Sequence, residues 1–224
     1  MKINIAIDGP SAAGKSTIAK RLAAKLNYVH LDTGAMYRCT AFKALKNHIS
    51  LEDEAGVCEM LKHTEIELTA DGRVFLDGSE VSTEIRTDEI SLAASAVSKL
   101  KQVRSDLVKR QQEMAASKGF IMDGRDIGTV VLKDAEVKIY MTATPEARAK
   151  RRYDQNIMNH IPTSDIATIA EEIRKRDYDD THRVNSPLTR AADAVEIDTS
   201  DMTIDEVTEA IYKLAEPFLE KEKV

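Results

Sequence analysis

The 224-residue sequence predicts an α/β fold in which a mostly parallel sheet is covered by helices on both faces. Three observations lead to this prediction. Short runs of β-branched residues alternate with amphipathic helical segments along most of the chain. The first of these runs leads directly into a glycine-rich turn and a helix. One stretch, residues 64–86, interrupts the alternation and predicts a small antiparallel β insert.

The chain begins with a predicted buried strand at residues 2–7, in which isoleucine occupies every second position from Ile3 to Ile7. A helix is predicted from Ser16 onward, because apolar residues recur there at the four-residue spacing of an amphipathic helix. These apolar positions are Ile18, Leu22 and Leu26. Strand, glycine-rich turn and helix therefore follow one another without a break.

The β insert is predicted from a change of periodicity. Its apolar residues alternate with polar ones and meet two Asp-Gly pairs, Asp71-Gly72 and Asp77-Gly78, which are typical of hairpin turns. The other predicted elements are strands at 28–31, 119–123, 137–141 and 194–197, and helices at 32–61, 88–116, from 144, at 165–180 and at 203–219. We expect one domain over residues 1–224.

Composition and charge restrict the classes of partner. Hydrophobic residues make up 42 % of the chain and charged residues 31 %, which is the balance of a folded globular protein. The formal net charge of −6 predicts no nucleic-acid partner, because no overall positive field attracts a phosphate backbone. Cys39 and Cys58 show no metal-ligand spacing, and Asp8 interrupts the only early apolar run. We therefore expect a cytoplasmic protein without membrane contacts, and a monomer.

The stretch AIDGPSAAGKST, residues 6–17, carries the spacing G-x-x-x-x-G-K-S from Gly9 to Ser16. Such a loop wraps backbone N–H groups around phosphate oxygens, and the helix that follows points its positive end at them. Lys15 adds a positive charge and the hydroxyl of Ser16 a ligand for Mg²⁺. We call this segment the phosphate loop and expect it to bind ATP through Gly9, Pro10, Ser11, Ala12, Ala13, Gly14, Lys15, Ser16 and Thr17. The fold expected is that of a P-loop NTPase.

The rest of the chain narrows the type of phosphate chemistry. No Asn-Lys-x-Asp motif for guanine is present, and 224 residues leave little room for the further domains of large ATPases. A small kinase remains, and its acceptor site should contain arginines. Arg38 and Arg125 each follow a predicted strand, where α/β sheets bind their ligands. Arg174 and Arg190, in contrast, are expected on solvated surfaces.

Four motifs in order resemble those of the bacterial cytidylate kinases: DGPSAAGKST, LDTGAMYR at 31–38, DGRDIGTVV at 123–131 and RKRDYDDTHR at 174–183. The resemblance runs along essentially the whole chain and includes the β insert, which distinguishes this family from adenylate kinases. Adenylate kinases carry Asp-Gly-Phe-Pro-Arg where this chain has Asp-Gly-Arg-Asp. In some relatives a serine stands at the position of Thr33, which keeps the hydroxyl group.

The resemblance implies roles for individual residues. Arg38 and Arg125 would hold the acceptor's phosphate, while Ser95 and Asp126 would contact the edge of cytosine, with Arg104 nearby. A carboxylate accepts a hydrogen bond from the cytosine amine but repels the uracil oxygen. The remaining assignments are the acceptor contact of Thr33, the sugar contacts of Asp180 and Arg183, and catalytic roles for Lys15, Arg152 and Arg176.

The implied reaction is transfer of the γ-phosphoryl of ATP to CMP or dCMP, a step of pyrimidine nucleotide metabolism. We expect no protein nucleophile, a β insert near the acceptor and a short lid at 150–164 between two helices that excludes water. Two alternatives stay open: an ATP-binding regulatory module without transfer activity, and another small-molecule kinase on the same scaffold.

Overall fold

The computed structural model describes residues 2–69, 71–158 and 160–219, and the chain divides into two compact units. The first unit combines Met1–Tyr28 with Gly119–Val224, and the second is the continuous segment Val29–Lys118. The helices are α1 Lys15–Leu26, α2 Thr33–Lys46, α3 Glu54–Lys62, α4 Asp88–Val97, α5 Lys101–Ala115, α6 Pro145–Met158, α7 Ile166–His182 and α8 Ile204–Leu219. The strands are β1 Ile5–Asp8, β2 Val29–Asp32, β3 Ile66–Leu68, β4 Val74–Leu76, β5 Ser79–Glu80, β6 Phe120–Gly124, β7 Val137–Thr142 and β8 Val195–Asp198.

The first unit is built on parallel strands in the order β6-β1-β7-β8. The central strand β1 pairs Ile5 with Ile121 on one side and with Val137 on the other. All four residues of β1 are buried, as expected for a strand covered on both faces. Helices α1 and α8 contribute apolar residues to the same core, including Leu22 and Ile211. The predicted α/β class is confirmed.

The second unit contains α2 to α5 and a three-stranded antiparallel sheet of β3, β4 and β5. At the predicted turn between β4 and β5, Asp77 and Gly78 have φ values of 50° and 78°. This left-handed backbone suits a tight hairpin and explains the Asp-Gly sequence. Helices α2 and α4 pack through small side chains such as Ala41, Ala94 and Val97. The small antiparallel β insert is therefore confirmed.

Two stretches differ from the predicted elements. The helical region expected at 32–61 is two helices, because the chain turns after Asn47 and Asp53 caps α3 by accepting a bond from Gly56 N–H. Residues 150–158, expected between two helices, form the last part of α6 instead. The periodicity of α6 fades there because residues after Tyr153 are mostly exposed. The lid function of 150–164 and the single-domain assignment stay predictions. In the described ranges, no helix has the length and apolar content needed to cross a membrane.

Candidate active site

The phosphate loop joins β1 to α1 and depends on glycine at two positions. Gly9 has φ +150°, and a Cβ atom at this position would overlap the carbonyl oxygen of Met141 in β7. Gly14 is the N-cap of α1 at φ +89°, with open space around it. Gly9 is therefore required by a close approach to the sheet, and Gly14 by its backbone conformation alone.

Lys15 is buried in the first turn of α1, where its Nζ donates a hydrogen bond to the carbonyl oxygen of Pro10 at 2.7 Å. The pKa of Lys15 is lowered to about 7, mainly by burial and also by the positive charge of Arg125. Three carboxylates of the same unit oppose this shift: Asp123, Asp8 and Asp180. A bound phosphate would stabilise the ammonium form, because it adds negative charge to a site from which water is excluded.

Ser16 follows Lys15, and its hydroxyl donates to the Oδ2 atom of Asp123 at 2.7 Å. Asp123 lies near the end of β6, the strand that pairs with β1, so the hydroxyl and the carboxylate meet at the carboxyl edge of the sheet. A hydroxyl and a carboxylate are hard oxygen ligands that suit Mg²⁺, which also takes water and substrate phosphates as ligands. These residues fit the metal. Sequence reasoning missed Asp123, although an aspartate ending a core strand beside a phosphate loop was a usable signal.

Asp8 is a second carboxylate that sequence reasoning missed. It ends β1 and accepts bonds from the N–H groups of Ile127 and Gly128, both at 2.7 Å. Burial raises the pKa of Asp8 to about 6, and these two bonds oppose the shift. Asp8 therefore fixes the backbone that directly follows Asp126.

Four residues that the resemblance assigns to the acceptor form one charged cluster in the first unit. Arg125 Nε donates to Asp180 Oδ2 at 2.8 Å. Burial raises the pKa of Asp180, but the charge and hydrogen bond of Arg125 oppose burial, and the pKa lies below its ordinary value. Arg183 lies 3.9 Å from the Asp180 carboxylate and 4.0 Å from that of Asp126. The structure thus brings Arg125, Asp126, Asp180 and Arg183 together.

Five other arginines of the first unit differ in burial and fall into three groups. Arg148 is buried and forms a two-bond ion pair with Asp177. The two expected catalytic arginines, Arg152 on α6 and Arg176 on α7, are half-buried. Arg174 and Arg190 form exposed ion pairs, as the sequence predicts. Spacing alone could not separate these groups, because Arg148 and Arg152 are one turn apart on the same helix.

In the second unit, two arginines share one carboxylate. Asp32 caps α2 by accepting from Ala35 N–H, and its Oδ2 atom accepts from Arg38 and from Arg86, each at 2.9 Å. Burial opposes ionisation of Asp32, but Arg38 and Arg86 hold its pKa below the ordinary value. Sequence reasoning missed Arg86, which lies in the short 3₁₀ turn Glu84–Arg86 and belongs to no recognisable motif.

The remaining predicted acceptor residues also lie in the second unit. Thr33 is the buried first residue of α2, directly after Asp32. Arg104 is buried, donates to the carbonyl oxygen of Ser98 at 3.1 Å and lies over the ring of Tyr37 at 5.4 Å. Ser95 is half-buried on α4, one turn before Ser98. The elements α4 and α5 therefore place Ser95 and Arg104 in the same part of this unit.

Known proteins resemble the chain along its length. A family model described as cytidylate kinase matches residues 5–217. The cytidylate kinase of Bacillus subtilis (strain 168) is 50 % identical over 218 residues, covering 96 % of this chain and 97 % of that protein. That of Caldicellulosiruptor bescii is 51 % identical over 216 residues, covering 95 % of each. Among solved structures, shikimate kinase from Acinetobacter baumannii shares the fold, with 16 % identity, a TM-score of 0.50 and coverage of 100 % of this chain and 97 % of that one.

Proposed function

The chain belongs to the cytidylate kinase family, and from this premise we propose that it transfers the γ-phosphoryl group of ATP to CMP or dCMP, yielding ADP and CDP or dCDP. The observation that best supports the proposal is the arrangement of Lys15 and Ser16. Both begin α1 directly after a glycine-rich loop, with the ammonium group buried and the hydroxyl bonded to Asp123. This arrangement provides the N–H groups and positive charge that a triphosphate requires, and oxygen ligands suited to the Mg²⁺ that accompanies it.

ATP would be held by the phosphate loop, with its phosphates along the N–H groups at the start of α1. Lys15 would contact the terminal phosphates, and proton uptake by this residue would be favoured by their charge. Ser16 and Asp123 would hold Mg²⁺, which when bound neutralises charge on the transferring group. Arg152 and Arg176 are proposed to stabilise the same group from α6 and α7.

The monophosphate would be recognised by charge and by hydrogen bonding. We propose that Arg38 and Arg125 bind its phosphate, because a planar guanidinium donates two parallel bonds to a doubly charged oxyanion. Both guanidiniums already contact a carboxylate, Asp32 and Asp180 respectively, which orients them before the substrate arrives. Thr33 would contribute a hydroxyl from the start of α2.

Selection of the base would depend on Asp126 and Ser95, with Arg104 nearby. Asp126 is buried, so its carboxylate would distinguish the amine of cytosine from the oxygen of uracil without competition from water. Asp180 and Arg183 are assigned to the sugar hydroxyls, as the resemblance implies. The reaction itself needs alignment of the two nucleotides and neutralisation of charge, so no residue is assigned as a nucleophile.

An acceptor panel tests this proposal. The protein is mixed with ATP, Mg²⁺ and one acceptor at a time, chosen from CMP, dCMP, UMP, AMP, GMP and shikimate, and ADP formation is measured. We expect the highest kcat/KM with CMP or dCMP, and ADP formation slower by about 100-fold or more with Lys15→Met on the same panel. If ATP binds but no acceptor is phosphorylated, the chain is a regulatory ATP-binding module. Preference for a non-nucleotide acceptor would instead identify another small-molecule kinase.

A further inference from the structure

A phosphate loop must direct its N–H groups toward the ligand, which leaves its carbonyl groups to be satisfied elsewhere. In a trans peptide unit the C=O and N–H bonds point in opposite directions. A donor bound to the carbonyl oxygen of one loop residue therefore also sets the direction of the next residue's N–H group. The partners of the loop carbonyls thus decide where its donors point.

Arg148 of α6 supplies such a donor to the tip of the phosphate loop. Its Nη1 atom donates to the carbonyl oxygen of Ser11 at 3.1 Å, across 137 positions of sequence. Its Nε atom donates to the carbonyl oxygen of Ala143 at 2.9 Å, just before α6 begins. Arg148 is only 3 % exposed, so these bonds are shielded from water. The peptide unit between Ser11 and Ala12 is therefore held from the side of α6.

Asp177 of α7 fixes the guanidinium of Arg148. Its two carboxylate oxygens accept from Nη1 and Nη2 at 3.0 and 2.5 Å. A two-bond pair of this kind sets the plane of the guanidinium as well as its position. Nη1 therefore bonds both Asp177 and Ser11, and the orientation of α7 is linked to the loop through one side chain.

Ala12 provides a second, independent contact between the loop and the same two helices. Its side chain packs on an apolar cluster that includes Ala149 of α6 and Ile169 and Ile173 of α7. Ala12 has φ +58°, a left-handed conformation that is unfavourable for alanine and persists only when its surroundings hold it. The packing of its methyl group and the bond to the preceding carbonyl both hold this conformation.

A neighbouring arginine of α6 approaches the loop from a second point. Arg151 donates to the hydroxyl of Thr199 at 3.2 Å, and that hydroxyl lies 3.4 Å from the carbonyl oxygen of Ala13. Thr199 is 2 % exposed. Helix α6 thus reaches the carbonyl groups of Ser11 and Ala13, the first directly and the second through Thr199.

We propose that Arg148 is a positioning residue for ATP binding: held by Asp177, it fixes the Ser11 carbonyl and so aims the Ala12 N–H group toward the phosphates of ATP. Arg148 does not touch the nucleotide in this role. The inference rests on the proposed function only in that ATP is taken as the phosphate ligand. It concerns the donor nucleotide and makes no use of the acceptor.

The decisive variant replaces both charges of the pair with apolar side chains, Arg148→Met with Asp177→Leu. Loss of a buried ion pair as a unit is often neutral or stabilising, whereas loss of one partner strands the other charge. We expect the thermal unfolding midpoint of the double variant to lie closer to that of the wild type than the midpoint of Arg148→Met alone, because only the single variant leaves the charge of Asp177 without this partner. Because the Ser11 carbonyl loses its donor in both, kcat/KM for ATP should fall about 10- to 100-fold in both, with the KM for CMP unchanged.

Two further measurements separate positioning from a purely structural role. The Ala12 amide resonance of the nucleotide-free protein should move in the double variant, since its peptide plane is no longer held. Arg148→Lys keeps a positive charge but not the fork of donors, and it should show the same loss specific to ATP. It also serves as the test if the double variant does not fold. The matched control is Glu146→Gln with Arg174→Gln, an exposed ion pair between the same helices, which should behave as wild type.

The outcomes are distinct. A stable double variant, or a folded Arg148→Lys protein, that binds and uses ATP as the wild type does would overturn the proposal. An equal rise in the KM values for ATP and CMP would also overturn it, because it indicates general loosening of the fold. The role of Arg148 is also tested without an acceptor, by measuring ADP binding to the wild type and the variants by calorimetry. If the wild type does not phosphorylate CMP, the proposed reaction is refuted, but this binding measurement still tests the role of Arg148.

Discussion

The phosphate loop of the first unit and the arginine cluster of the second unit handle positive charge in opposite ways. Lys15 is buried with its Nζ atom bonded to a carbonyl oxygen, and its pKa is lowered to about 7. Arg38 and Arg86 instead share the carboxylate of Asp32, whose pKa lies below its ordinary value. The phosphate loop carries a cation whose burial costs free energy when no ligand is bound. The arginines of the second unit are instead paired with a carboxylate in the folded protein itself.

The difference indicates how each region relates binding to stability. In the first, an incoming anion would supply charge compensation that the nearby carboxylates provide only in part, so removing the positive charge should spare the fold and strongly lower activity. In the second, the carboxylate that orients the arginines also stabilises the folded chain, so function and stability should fall together. Substitutions in the two regions can therefore be compared by measuring activity and unfolding on the same variants.

The largest effect is expected for Lys15→Met. Loss of the charge should lower kcat/KM for ATP about 100- to 1,000-fold, because a preorganised donor to the transferring phosphates is removed. The midpoint of thermal unfolding at pH 7 should be equal to or above that of the wild type, since a buried ammonium no longer has to be accommodated. Kinetics and calorimetry test both points, and a marked loss of stability would contradict the proposed contrast.

Arg38→Met should affect function and fold together. We expect the KM for CMP to rise about 10- to 100-fold, with the KM for ATP unchanged, because bonds to a charged phosphate are lost. The free energy of unfolding should fall by about 1 to 3 kcal/mol, since Asp32 keeps only one arginine partner. Denaturant titration measures the second effect. Unchanged stability would show that Arg86 alone compensates Asp32.

Asp126→Ala tests whether a carboxylate of the first unit acts in recognition of the base. The ratio of kcat/KM values for CMP and UMP should fall about tenfold, because the acceptor for the cytosine amine is lost. Asp126→Asn is the matched variant: its amide can also donate to uracil, so the absolute rate with UMP should be higher than in Asp126→Ala. If both variants keep the wild-type ratio of kcat/KM values for CMP and UMP, other residues recognise the base.

The lowered pKa of Lys15 predicts a proton linkage. At pH 8 the side chain is mainly neutral in the free protein, and bound phosphate raises its pKa, so ATP binding should take up close to one proton at about this pH. At pH 6 Lys15 is already protonated, so its uptake should approach zero. Calorimetry in buffers of different ionisation enthalpy measures the number of protons taken up on ATP binding. Lys15→Met provides the baseline, and equal uptake by this variant would assign the proton to another group.

The smallest effect is expected for Arg190→Gln. Its ion pair with Glu196 joins side chains that are about half exposed, so solvent screens the interaction. The free energy of unfolding should change by less than about 0.5 kcal/mol, and the kinetic constants should not change. This variant shows that arginine replacement alone does not produce the losses expected at Arg38. A large effect would mean that the exposure of an ion pair does not predict its contribution to stability in this chain.

Features that depend only on residues close together in the sequence could be predicted from the sequence. The phosphate loop could be identified because glycines, lysine and serine occur at fixed spacing between a strand and a helix. The β insert could be identified because Asp77-Gly78 is specific to a tight turn. The end of α6 was not foreseen, because its last residues are mostly exposed and carry little periodic signal.

The sequence by itself determined the α/β class, the position of the phosphate loop and the family to which the chain belongs. The tertiary structure alone decided which partner each charged group takes. Ser16 bonds Asp123 across 107 positions, and Arg148 bonds Asp177 and Ser11, which lie 29 and 137 positions away. Sequence spacing does not predict these partners, because spacing along a helix specifies only which face a side chain occupies. Its partner is set by which strand or helix the folded chain brings against that face.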